Sequence, residues 1–68
     1  MNALTVARFP NGSWTTGGAT TDSDYESCEV YVVQSLNRDV AKKKAQGVRS
    51  RMVAKGLPLP TQALPYMV

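Results

Sequence analysis

Histidine is absent from the 68-residue chain, and cysteine occurs once, at Cys28. A single thiol excludes an internal disulfide. Without imidazole, a zinc site of the cysteine and histidine type cannot be assembled within one chain. The same absence removes the base from the usual serine or cysteine triads. Aromatic side chains are few, with three Tyr, one Trp and one Phe, so a sizeable enclosed pocket is not expected. No stretch approaches the roughly 18 apolar residues of a membrane span. The first residues lack the basic region and apolar run of a secretory signal, and the cytoplasm is the expected location. The five glycines do not fall into a phosphate-loop spacing, so no nucleotide cofactor is expected.

Carboxylates are also scarce. Asp22 and Asp24 have the D-x-D spacing of some magnesium and calcium sites, but the further ligands and the glycine at the required offset are missing. In a polar stretch nothing apolar raises their pKa toward a general acid. The expectation is a protein with no metal, no cofactor and no catalytic site.

The charge that is present is strongly partitioned within a net +3. Residues 1–37 carry Arg8 against Asp22, Asp24, Glu26 and Glu29, whereas residues 38–55 carry Arg38, Lys42, Lys43, Lys44, Arg49, Arg51 and Lys55 against Asp39 alone. The first segment is therefore acidic and the second strongly basic, and the molecule is expected to be dipolar.

That basic segment reads as one amphipathic helix over residues 37–55. Ala41, Ala45, Val48 and Met52 recur on a 3.6-residue period, with Val40 at the edge of the stripe. Asn37 is the expected N-cap, Asp39 complements the positive helix start, and Leu36 is placed to close over Ala41 as a hydrophobic staple. Gly56 suits a left-handed C′ position, with Leu57 completing a Schellman motif and Pro58 stopping the helix. Gly47 lies off the stripe and costs about 1 kcal/mol of helix propensity relative to Ala, which a close contact with a partner backbone would explain, although simple tolerance by the helix is the expected account.

Upstream, residues 3–16 read as a hairpin turning at Pro10-Asn11-Gly12-Ser13, and residues 17–27 as an acidic loop. Residues 28–34 form the strongest strand pattern, with Cys28, Val30 and Val32 on one face and Glu29, Tyr31 and Val33 on the other. Cys28 is then a buried small hydrophobe rather than a nucleophile. The short connection through Ser35 and Leu36 folds the helix back across the sheet. The tail, residues 57–68, contains three prolines among Leu57, Leu59, Leu64, Tyr66, Met67 and Val68, and is expected to pack on the sheet as a short edge strand or to dock on a partner.

The expected fold is one small α+β domain: an antiparallel sheet of three or four strands with one helix on a face. A chain this short buries only about 60% of its unfolded surface, so a partner or a homodimer would add needed stability. The expected function is that of a small protein-binding accessory or inhibitor protein. It would dock on a larger partner through its charged helix, an edge strand or the tail at Leu57, Leu59, Leu64 and Tyr66. Accessory proteins of compact viral genomes belong to this physical class. The alternative is a nucleic-acid-binding protein in which Arg38, Lys42, Lys43, Lys44, Arg49, Arg51 and Lys55 meet phosphates. A helix-turn-helix is disfavoured because the prolines after Gly56 deny a second helix. The same flanking cations could instead pair with Glu29 or the acidic loop of the same chain.

Overall fold

Strand alternation sets the architecture. In the computed structural model, which describes residues 2–68, four strands form one sheet in the order β2-β1-β3-β4. They are β1 (Asn2–Arg8), β2 (Trp14–Thr16), β3 (Glu29–Ser35) and β4 (Tyr66–Met67). The pairs β1 with β2 and β1 with β3 are antiparallel, and β4 joins β3 in parallel. A 17-residue helix, α1 (Arg38–Ala54), packs on one face. The expected α+β class is what forms, with the fourth strand present and the sheet mixed rather than wholly antiparallel.

The β1 to β3 register runs from Asn2 opposite Ser35 to Arg8 opposite Glu29. Opposed residues in a ladder share a face, so Leu4, Val6 and Arg8 line up with Val33, Tyr31 and Glu29. This is the face that α1 covers. Val6, Tyr31, Val33, Ala41, Ala45, Val48 and Met52 form its core, with Leu4, Trp14 and Leu59 at the margin. The predicted helical stripe is thus the buried one. Its alanines let the helix lie close to the sheet, on which Trp14 of β2 and Tyr31 of β3 pack with ring centroids 5.8 Å apart.

The opposite face is closed by a segment expected to be a solvated loop. A 3₁₀ turn at Ser23–Tyr25 is capped by Asp22, whose Oδ1 accepts from the Asp24 N–H at 2.9 Å. That turn delivers Tyr25 onto Ala7, Cys28 and Val30, with Phe9 beside them. Phe9 and Tyr25 meet edge to face at 6.4 Å, and the Tyr25 hydroxyl donates to the Gly17 carbonyl at 2.7 Å. The acidic residues stay exposed while the one aromatic among them is buried. The loop expectation missed this because a single tyrosine in a polar run carries no periodicity.

Both helix ends follow the predicted chemistry. Asn37 Oδ1 accepts from the Val40 N–H at 2.9 Å. At the other end Gly56 adopts φ 68°, its N–H bonds to the Val53 carbonyl at 3.1 Å, and the Leu57 N–H reaches the Met52 carbonyl at 2.9 Å. Those two bonds are the paired bonds of a Schellman motif. The staple is not made: Leu36 is 78% exposed, so Ala41 is buried by the sheet and not by its neighbour in sequence. The hairpin turn also differs in detail. Gly12 has φ 92° while Asn11 stays at negative φ, and the Asn11 side chain accepts from both the Ser13 N–H and hydroxyl.

The tail folds back on its own sheet. Leu59 packs at the core margin and Pro60 is buried. Gln62 Nε2 donates to the Thr20 and Asp22 carbonyls at 2.9 and 2.6 Å. The Val68 N–H bonds to the Val32 carbonyl at 2.8 Å. Strand pairing is confined to Tyr66–Met67, a short edge strand as expected.

Substituting Gly56→Ala places a Cβ in open space but forces it into the left-handed region; a loss of about 1 kcal/mol is expected in urea unfolding. Asn37→Ala should cost a similar amount, about 1 kcal/mol, through the lost cap.

Candidate functional site

The six cations of α1 and Lys55 at its C-cap do not form one surface. Arg49 turns inward, and its Nε lies 2.8 Å from Glu29 Oε1. Glu29 also receives the Tyr31 hydroxyl on Oε1 at 2.8 Å and Arg8 Nη1 on Oε2 at 3.4 Å. This cluster closes one end of the helix-facing core, and all three charged side chains are largely buried there. Arg49, one of the candidate partner or phosphate contacts, is thus engaged with Glu29 within the chain. Its pairing with Glu29 is the intramolecular alternative already open in the sequence.

Tyr31 is fully buried, and its hydroxyl is held well above the ordinary tyrosine value of 10.0. Burial is the main cause, followed by the hydrogen bond to Glu29 and the negative charge of that carboxylate. On the other face, burial and then Asp22 raise Tyr25, and burial and then Asp24 raise Cys28. The Cys28 thiol, facing the Asp24 carbonyl at 3.8 Å, is thus held protonated in the core. No group of three or more Cys, Asp or Glu side chains placed to hold a metal ion occurs among the described residues.

The remaining cations are distributed around the helix. Arg38 is exposed at its start, with its guanidinium close to Gly17. Lys42 is half-buried, and Lys55 is exposed at the C-cap. Lys43, Lys44 and Arg51 come together along a groove of about 370 Å³, lined also by Val40, Gly47, Val48 and Val68. The groove exists because the sheet is wider than the helix. β4 extends the sheet beyond β3, and Val68, bonded to Val32, lies beside the flank of α1. Lys44 Nζ spans the corner by donating to the Gln34 carbonyl at 3.1 Å.

Of the candidate tail residues, Leu59 is withdrawn into the core margin, while Leu57, Leu64 and Tyr66 keep exposed surface. Val40, Gly47, Val48 and Val68 were not singled out as site residues in the sequence. Gly47 was the one signal available: a glycine inside a helix whose neighbours are strong helix formers. A Cβ there would meet only Arg51 Nη1, at an ordinary 3.6 Å, so nothing in the packing of this chain requires glycine at that position.

Two outcomes are expected. Glu29→Gln should destabilise the fold by about 2 kcal/mol, because two arginines lose a charge-assisted acceptor, and a double-mutant cycle with Arg49→Met should show strong coupling. At alkaline pH the unfolded chain releases its tyrosine proton first, since the folded value of Tyr31 is raised. Its stabilising contribution is complete below the ordinary value of 10.0 and is lost as pH climbs beyond it. Chemical denaturation across that range should give a shallower loss for Tyr31→Phe than for the unmodified protein.

Comparison with protein-family models, with curated proteins and with solved structures finds no match to this chain.

Proposed function

We propose that this protein is a non-enzymatic accessory or inhibitor protein that acts by docking on a larger protein, using the corner where α1 meets β4. The observation that carries this reading is the groove itself. Its floor is aliphatic, from Val40, Val48 and Val68, and its rim is cationic, from Lys43, Lys44 and Arg51. Val40 and Val68, which both line the groove, remain 40% and 39% exposed. An apolar centre within a charged rim is the usual anatomy of a protein-binding patch. The acidic loop lies across the sheet on the other face, so the molecule presents a basic side toward a partner and an acidic side away from it, which favours oriented encounter.

Docking through the tail alone is less well supported, because the tail supplies β4, Leu59 and the Gln62 bonds. Truncation after Gly56 would strip the fold together with any contact. The cleaner comparison keeps the chain intact and reverses the rim. Affinity capture from nuclease-treated lysate of the source organism, or of its host, should recover a defined protein with the unmodified chain and lose it with Lys43→Glu/Arg51→Glu. Equal recovery by both would remove the groove from consideration. Recovery that disappears on nuclease treatment would turn the reading toward phosphate contacts by the helix.

A further inference from the structure

The groove has a chemical signature that narrows what it receives. Every ionisable side chain lining it is a cation, namely Lys43, Lys44 and Arg51. None of them is paired with a carboxylate among the described residues, whose ion pairs are those of Arg8 and Arg49 with Glu29. The other acidic side chains of the sheet region, Asp22, Asp24 and Glu26, lie on the far face with the 3₁₀ turn. Asp39, one turn before Lys43, is the acidic side chain of α1, and it makes no ion pair with the groove cations among the described residues.

Gly47 adds an independent observation. Lys43, Gly47 and Arg51 follow one another at four-residue intervals, one above the next along the helix. The middle of the three has no side chain. Only the flexible end of Arg51, whose Nη1 would lie 3.6 Å from a Cβ at Gly47, stands over the helix backbone there, so a main chain that engages and displaces that guanidinium can approach α1 more closely than elsewhere.

We propose that the groove receives an extended acidic segment of a partner protein, its carboxylates on Lys43, Lys44 and Arg51, its small aliphatic side chains against Val40, Val48 and Val68, and its backbone crossing α1 at Gly47. This rests on the docking function proposed above and names the chemistry of the segment that docks. Lys43 and Arg51 are separated by about 12 Å of helix rise. At about 3.4 Å per extended residue, long flexible cations match carboxylates two or four positions apart on the segment. An aliphatic floor beneath a cationic rim then suits alternating acidic and aliphatic residues. Nucleic acid fits less well: phosphates would satisfy the rim, but no aromatic side chain lines the groove to stack a base, and the valine floor would stay wet.

The test uses a capped, fluorescein-labelled peptide of alternating glutamate and valine, about eight residues long to span the groove at extended-chain spacing. Three comparison probes are the same peptide with lysine for glutamate, the same peptide with serine for valine, and an oligothymidylate of matching length. Anisotropy titrations are paired with ¹⁵N–¹H spectra of the unlabelled-peptide complex. The glutamate-valine peptide should saturate the protein, with shifts centred on Val40, Gly47, Val48 and Val68. Its affinity should fall about tenfold or more in Gly47→Leu, which fills the groove, and in Lys43→Glu/Arg51→Glu, which reverses the rim. The second variant leaves Gly47 in place, so any change in helix packing caused by the leucine is controlled.

Equal binding of the serine peptide would reduce the site to general surface charge and overturn the proposal. Shifts away from the groove, or preference for the oligothymidylate, would do the same. If the glutamate-valine peptide does not bind while rim-dependent capture from lysate succeeds, the occupant is of another chemistry and the docking function stands. If both fail, the docking function falls with it.

Discussion

The antiparallel register between β1 and β3 is the constraint on which the rest of the molecule depends. Its seven residue pairs assign Val6, Tyr31 and Val33 to one face and Ala7 and Val30 to the other. Because side chains alternate, a slip of one residue in either strand would exchange faces throughout that strand. It would also separate Arg8 from Glu29, whose juxtaposition comes from the last pair of the ladder. The helix, the Glu29 cluster and the Tyr25 turn all read the same register, each from its own side. Agreement among separately encoded features is what gives a small chain one preferred structure.

The groove follows from a mismatch of widths. A single helix covers the strands near the centre of a four-stranded sheet, and β4 is added on one side only. The corner beyond β3 therefore has a floor and one wall. The charge of that wall is not incidental to the fold's chemistry. Arg49, facing the core end, is paired with Glu29, while Lys43 and Arg51, facing the corner, make no ion pair among the described residues. The helix thus divides its basic residues between holding the structure and facing outward.

Much of this was legible in the sequence, for reasons that can be named. The stripe of Ala41, Ala45, Val48 and Met52, the Asn37 cap and the Gly56 stop are local and periodic, so they could be read without tertiary information. The strand over Tyr31 and Val33 and the hairpin turn were legible in the same way. The choice of face for the helix was not, because both sides of residues 28–34 carry apolar residues and both are in fact covered. The role of Tyr25 depends on a turn that only Asp22 and its neighbours can make. The groove was least legible: it joins Val40 and Gly47 to Val68 across a parallel pairing, and no spacing in the sequence records that neighbourhood. Leu36 failed as a staple because the sheet already occupies Ala41.

The sheet divides the core into two thin clusters that meet only through the backbones of β1 and β3. Each has its own aromatic pair: Trp14 with Tyr31 under the helix, Phe9 with Tyr25 under the 3₁₀ turn. Trp14 is the only tryptophan of the chain. The indole is therefore a native optical reporter of one side of the sheet, sensing departure of the helix without an attached dye. Loss of the Tyr25 side leaves the indole's own contacts in place. The two layers are spectroscopically separable, so whether they melt as one cooperative unit or as two can be observed in the unaltered protein.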